Sequence, residues 1–107
     1  MTFQRAASLD QLWIGEMIGV VVGGRRVLLV NVEGEITAFE DRCAHLAVPL
    51  SEGRLEGALL TCSAHAWQSD ARTGESKNPR GARLRSLPVR IEGEELFVDV
   101  SPLEVGR

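Results

Sequence analysis

Several residue types and patterns are scarce in this 107-residue chain. It contains no tyrosine, two cysteines and two histidines, and aromatic residues make up 5% of it. No apolar run approaches the roughly 18–20 residues that cross a bilayer, because Gly15, Glu16 and Gly19 interrupt the most apolar stretch. The N-terminus lacks the basic-then-apolar order of a signal peptide. We therefore predict a cytoplasmic protein without a membrane anchor, in a reducing compartment that disfavours structural disulfides.

Positive charge is also in deficit. Lysine and arginine total 12 residues against 15 acids, for a net charge of −3. Nucleic-acid binding, which needs a clustered positive surface, is not expected. The chain has no G-x-G-x-x-G motif and is too short for a nicotinamide domain plus a substrate domain. If it handles electrons, it must therefore receive them from another protein, and we expect no catalytic residue.

Short apolar segments separated by turn signals are abundant. Hairpin loops are predicted at Gly23-Gly24, Glu33-Gly34 and Glu92-Gly93. Near the C-terminus, apolar residues alternate with others, which predicts strands with one buried face: Leu87, Val89 and Ile91, then Leu96, Val98 and Val100. Helical periodicity is weak, apart from a single turn that Ser8 could cap. This pattern predicts an all-β sandwich or small barrel, with Trp13 in its core.

Residues 40–81 break the regular alternation of strands and turns. Six of their positions are residues that interrupt regular structure: Pro49, Gly53, Gly57, Gly74, Pro79 and Gly81. We predict one domain over residues 1–107. Its base covers about residues 1–40 and 82–107, and a subdomain of loops and short strands, about residues 41–81, is inserted into it.

Every cysteine and histidine of the chain lies in that segment. Cys43 and His45 form one cluster, and Cys62 and His65 form the second, in the pattern C-x-H-x16-C-x2-H. Each cluster offers one thiolate and one imidazole. Two sulfur and two nitrogen ligands suit zinc or an iron–sulfur centre, and do not suit calcium or magnesium.

Three interpretations compete for these four residues. They could be unrelated core residues, although their confinement to two matched clusters argues against chance. They could form a structural zinc site, although zinc fingers pair their cysteines as C-x2-4-C and place the histidines on a helix. They could instead bind a [2Fe–2S] centre in which two histidines replace two cysteines on one iron. The third interpretation is favoured, because each predicted loop supplies one ligand of each kind.

The four-residue pattern resembles the signature of Rieske proteins. Flanking segments narrow the likeness to the ferredoxin component of bacterial toluene monooxygenases. These segments are residues 1–3, 8–10, 12–17, 50–53, 56–57, 61–62 and 64–65, together with Trp67. Ala44 and Ala66 replace residues that are more usual in the family. The resemblance extends to about Val100 and implies a β-sandwich base carrying a small cluster-binding subdomain.

The resemblance also implies roles. Cys43 and Cys62 would hold the inner iron, and His45 and His65 the more exposed outer iron. The chain would be a monomeric one-electron carrier, not an enzyme. It would accept electrons from an NADH-dependent reductase with flavin and iron–sulfur groups and deliver them to a diiron hydroxylase that oxidises aromatic hydrocarbons. A ferredoxin for a Rieske ring-hydroxylating dioxygenase is the alternative with the same cluster.

Secondary candidates surround the ligand pattern. Trp67 could pack beside the outer iron or in the core. Residues 46–49 could form an apolar docking rim or pack as an ordinary loop, and residues 78–81 could shield the cluster or only form a turn. Glu92, Glu94 and Glu95 could steer a basic partner, although a solvated turn is the simpler interpretation.

Overall fold

The computed structural model describes residues 3–42, 49–63, 67–78 and 83–103. Within these ranges the chain forms strands and short 3-10 turns and no α-helix, which confirms the all-β prediction. The strands are β1 (Phe3–Ser8), β2 (Met17–Val22), β3 (Arg25–Val32), β4 (Glu35–Glu40), β5 (Arg54–Glu56), β6 (Leu59–Thr61), β7 (Gln68–Asp70), β8 (Ser76–Asn78), β9 (Ser86–Leu87), β10 (Val89–Glu92) and β11 (Glu95–Asp99). The 3-10 turns are Leu9–Gln11, Leu50–Glu52 and Ser101–Leu103.

The described strands form three antiparallel sheets. The terminal sheet has the order β1-β11-β10, the middle sheet β2-β3-β4-β9, and the small sheet β5-β6-β7-β8. The small sheet lies entirely within the segment that breaks the strand rhythm of the sequence. No helix in the described ranges is long and apolar enough to cross a membrane.

Glycines with positive φ set the hairpin turns. The loops at Gly23-Gly24 and Glu33-Gly34 connect β2 to β3 and β3 to β4, as predicted, and all four residues have positive φ. The third turn falls one residue later than predicted, because Glu92 remains in β10 and pairs with Glu95. Gly93, with φ +63°, supplies the left-handed first position of this turn.

Two apolar clusters make up the core. The first core cluster consists of Ala7, Leu12, Val22, Val27, Leu29, Ala38, Leu87, Leu96, Val98, Val100 and Leu103. The second core cluster consists of Leu28, Val30, Val32, Phe39, Leu50, Leu60, Cys62, Ala71 and Leu84. Strand β3 contributes alternate residues to each cluster, so its two faces are both buried. The uninterrupted apolar run at residues 27–30 is therefore a central strand between two cores, and each such side chain stabilises the fold by roughly 1.5–3 kcal/mol.

Two burial predictions are wrong. Trp13 was expected in the core, yet it is 67% exposed. It lies in the turn before β2, where its backbone N–H donates to Glu16 Oε1 at 2.9 Å. Ile91 was expected on a buried face but is 49% exposed, because β10 is an edge strand. The alternation of Leu96, Val98 and Val100 is confirmed, since all three are buried.

Candidate metal centre

Cys62 is the one predicted ligand that lies within the described residues. Cys43, His45 and His65 lie outside them. Cys62 directly follows β6, is 2% exposed and belongs to the second core cluster. Its backbone N–H donates to the carbonyl oxygen of Trp67 at 2.7 Å. The thiol is thus anchored by packing on one side and by a backbone hydrogen bond on the other.

The hairpin of β6 and β7 determines where the second ligand pair can be. Thr61 pairs with Gln68, and the Cys62–Trp67 hydrogen bond extends this ladder by one step. The connecting segment is residues 63–66, which includes His65 in the sequence. Trp67 is half-buried and packs against the second core cluster, which supports its core interpretation. Its placement beside an iron stays a prediction.

Asp41 and Ser51 tie together the chain on either side of the first ligand pair. The Ser51 N–H donates to Asp41 Oδ1 at 2.8 Å, and the Ser51 hydroxyl donates to Asp41 Oδ2 at 2.7 Å. Asp41 is 7% exposed and forms no ion pair with another described residue. We call this double hydrogen bond the Asp41–Ser51 clasp. It closes the base of the segment that contains Cys43 and His45.

Two glycines lie where the Cβ atom of any other residue would clash with neighbouring atoms. A Cβ atom on Gly19 would lie 2.8 Å from both Asp41 Oδ2 and Ser51 Oγ. A Cβ atom on Gly53 would lie 2.0 Å from the carbonyl oxygen of Thr61. Gly53, which directly follows the 3-10 turn at Leu50–Glu52, therefore lies against the backbone of Thr61, the residue that precedes Cys62. This Gly53–Thr61 contact brings the bases of the two ligand segments together.

Sequence reasoning did not identify the clasp. Asp41 and Ser51 are ten residues apart and face each other only because the chain returns to the end of β4. No periodicity links such a pair. The sequence shows only that a polar residue lies on each side of the Cys43 and His45 cluster. Two polar residues at these positions could equally well be solvated loop residues.

The described surroundings of Cys62 fit a metal cluster. Its thiol is a soft donor on a rigid hairpin, and the remaining predicted donors are one thiol and two imidazoles, the set that a histidine-ligated [2Fe–2S] centre requires. A cleft of about 330 Å³ beside Cys62 is lined by residues that include Gly53, Thr61 and Ser63. Among the residues that the structure describes, the buried Thr61 Oγ1 has no hydrogen-bond partner.

Comparison with known proteins decides the nature of the centre. The Rieske [2Fe-2S] domain family matches residues 2–88. The chain belongs to the Rieske [2Fe–2S] family. Its cofactor is a Rieske-type [2Fe–2S] cluster, and the zinc and chance-core alternatives are set aside. The predicted Rieske-type fold is likewise confirmed.

Individual relatives narrow the class to Rieske ferredoxins. The chain is 40% identical, over 90% of its length and 80% of the relative's, to the ferredoxin component of the alkene monooxygenase system of Xanthobacter autotrophicus. It is 40% identical to the biphenyl dioxygenase ferredoxin subunit of a Pseudomonas species, over 94% of both chains. The solved ferredoxin of carbazole 1,9a-dioxygenase from Nocardioides aromaticivorans matches with a TM-score of 0.83 at 29% identity, covering 92% of this chain and 97% of that one. This Rieske ferredoxin is therefore an electron carrier, not a catalytic subunit.

The acidic turn predicted from the sequence can be placed in the fold. In the acidic turn, Glu92 forms an ion pair with Arg90, and Glu95 with Arg5. Because two of its three carboxylates are paired within the chain, the solvated-turn interpretation is supported over a partner-steering patch. The predicted covering segment, residues 78–81, lies outside the described residues apart from the backbone of Asn78 at the end of β8.

Replacing Asp41 tests the clasp. The Asp41→Ala variant leaves the Ser51 N–H and hydroxyl without their acceptor, and we expect a loss of about 1–3 kcal/mol in stability with faster release of iron to a chelator. The Asp41→Asn variant keeps an oxygen acceptor for the N–H and offers an amide donor to the hydroxyl, so it should retain most of the stability. Thermal unfolding and chelation kinetics of both holoproteins provide the measurement. Equal behaviour of the alanine variant and the wild type would contradict the clasp.

Proposed function

We propose that this Rieske ferredoxin passes single electrons from an NADH-dependent reductase, with flavin and iron–sulfur groups, to the diiron hydroxylase of a multicomponent aromatic (toluene-type) monooxygenase. The four residues proposed to hold the cluster are Cys43, His45, Cys62 and His65. The two cysteines would bind the inner iron and the two histidines the outer iron. The observation that carries the site is the buried Cys62 at the base of the hairpin that contains His65.

The protein's part is to hold the two ligand segments side by side. The cluster, when bound, supplies a centre that accepts and releases one electron. The second core cluster keeps water from the Cys62 side, and the Cys62–Trp67 hydrogen bond fixes the hairpin. The Asp41–Ser51 clasp and the Gly53–Thr61 contact hold the two segments in register, so that little rearrangement accompanies a change of charge.

The likeness of the N-terminal segment to toluene monooxygenase ferredoxins supports the diiron partner. The relative from the alkene monooxygenase system supports a monooxygenase as the electron acceptor. A second candidate function is electron delivery to a Rieske ring-hydroxylating dioxygenase. The biphenyl dioxygenase ferredoxin supports this alternative, because it is equally identical to the chain. Both candidates keep the same cluster and the same direction of electron flow.

We also propose the internal division that the sequence predicts. The base would comprise about residues 1–40 and 82–107, and the cluster-binding subdomain about residues 41–81. The small sheet, from Arg54 to Asn78, lies within the second range, and the middle sheet resumes at Ser86. The monomeric state and the cytoplasmic location remain predictions.

Purified protein tests this proposal directly. We expect a red-brown protein with about two irons and two labile sulfides per chain, and an EPR signal of the reduced cluster. Mixing the reduced protein with a purified diiron hydroxylase and, separately, with a ring-hydroxylating dioxygenase measures which one oxidises it faster. Faster oxidation by the dioxygenase would replace the leading partner with the second candidate. A colourless protein with one zinc would contradict both.

A further inference from the structure

Three arginines surround a cleft next to the first ligand segment. Arg25 and Arg26 begin β3, and Arg42 directly precedes Cys43 in the sequence. Together with Pro49 and Leu103 they line a cleft of about 380 Å³. Arg42 and Pro49 are the described residues that flank residues 43–48, so the cleft adjoins the segment proposed to hold one cysteine and one histidine.

The side chains of these three arginines are exposed to solvent. Within the part of the chain that the structure describes, none of the three forms an ion pair, and all are exposed. The cleft also contains Glu40 and Asp41. The Asp41 carboxylate is buried and already accepts two hydrogen bonds from Ser51. The positive groups therefore outnumber the carboxylates at this surface and lie further out.

At the opposite end of the middle sheet, two glutamates share one arginine, so acidic groups outnumber basic ones in this cluster. There, Glu33 and Glu35 form ion pairs with the single Arg72 at 2.8 and 3.6 Å. Since the whole chain has a net charge of −3, the arginine cleft is a local positive region on an acidic protein. Such an asymmetric charge distribution orients a charged partner during approach, because attraction acts at one end and repulsion at the other.

We propose that the arginine cleft, formed by Arg25, Arg26 and Arg42, is a docking surface for a redox partner protein that presents a cluster of aspartate and glutamate side chains. The inference rests on the proposed function, because docking here brings the partner next to the segment assigned to Cys43 and His45. The cleft of about 380 Å³ has room for carboxylate side chains beside the guanidinium groups, and the half-buried Pro49 adds apolar contact. Redox contacts of this kind are small and transient, so charge governs their rate of formation more than buried area does.

The first test uses small redox probes and needs no partner. The Arg25→Gln/Arg26→Gln holoprotein is compared with an Arg5→Gln/Arg72→Gln control, which loses the same charge away from the cleft. Reduced protein is oxidised by anionic ferricyanide and by cationic tris(phenanthroline)cobalt(III), at about 0.01 M ionic strength and again at about 1 M. At low salt we expect the cleft variant to be oxidised roughly fivefold more slowly by the anion and faster by the cation. The oxidation rates of the control should change less. At high salt the differences between the variants should vanish, because salt screens the charges. Equal effects of the two variants would overturn the positive docking surface.

The second test uses proteins. Association rates of both variants are measured with the reductase and the hydroxylase of the proposed system. At low salt we expect the association rate of the cleft variant with at least one of these two proteins to fall roughly fivefold or more. Unchanged association rates with both proteins would overturn the proposal. The proposal would also be overturned if the cleft variant bound only duplex DNA, or only vesicles containing phosphatidylserine, more weakly than the wild type does. The cleft would then bind a nucleic acid or a membrane and not a protein. If wild-type protein exchanges electrons with neither protein, the proposed function fails, whereas the probe experiment still decides the sign of charge at the surface.

Discussion

Replacing Cys62 with alanine should abolish cluster binding. We expect iron content to fall from about two atoms per chain to nearly none, with loss of the visible absorption and of the EPR signal. The reason is that a [2Fe–2S] centre with two cysteine and two histidine ligands has no spare thiolate, and the chain contains just one other cysteine. Iron and sulfide analysis of the purified variant provides the measurement.

The adjacent residue supplies the control for this experiment. Thr61→Val changes a buried side chain next to Cys62 without removing a predicted ligand, and Thr61 Oγ1 has no hydrogen-bond partner within residues 3–42, 49–63, 67–78 and 83–103. We expect this variant to retain the cluster with equal or slightly higher stability, because an unsatisfied buried hydroxyl is replaced by a methyl group. Full iron content in Cys62→Ala would contradict the ligand assignment. Loss of iron from both variants would show that the site responds to any change in packing.

Replacing Gly53 with alanine should disrupt the junction between the two ligand segments. The new Cβ atom would lie 2.0 Å from the Thr61 carbonyl oxygen, and a backbone atom in β6 cannot rotate away as a side chain can. We expect the free energy of unfolding to fall by about 3 kcal/mol or more. In a domain of this size, this lowers the midpoint of thermal unfolding by about 12 °C or more. Because the clash pushes the turn at Leu50–Glu52 away from the residue preceding Cys62, iron content should fall as well.

Gly57 offers a matched comparison in the same hairpin. It has φ +62°, and a Cβ atom there would meet nothing within 4 Å. Gly57→Ala should therefore cost only the strain of a left-handed backbone, about 1–2 kcal/mol, and leave iron content intact. Thermal scans and iron analysis of the two alanine variants side by side measure the difference. Similar behaviour of both would show that the Gly53–Thr61 contact does not hold the ligand segments together.

The nature of the centre could be predicted from the sequence because it depends on donor chemistry and spacing. The pattern of Cys43, His45, Cys62 and His65 predicts a mixed sulfur and nitrogen ligand set from residue type and spacing alone. The all-β class was equally accessible, since glycine-rich turns and period-two alternation are local features. Where local information was insufficient the predictions were wrong, as for Trp13, whose apolar side chain lies in an exposed turn, and for Ile91, which lies on an edge strand.

Tertiary structure alone decided which distant residues meet. The Asp41–Ser51 clasp, the Gly53–Thr61 contact and the grouping of Arg25 and Arg26 with Arg42 join residues from different elements. The Gly53–Thr61 contact follows from the pairing of β5 with β6, in which Arg54 lies opposite Thr61. The other two groupings join the end of β4 to the 3-10 turn at Leu50–Glu52 and to the start of β3. Local sequence determines the ligand chemistry and the turns, whereas packing in three dimensions determines which polar and charged groups surround the site. For that reason the sequence by itself predicted the kind of cofactor, whereas only the fold showed the Asp41–Ser51 clasp, the Gly53–Thr61 contact and the arginine cleft.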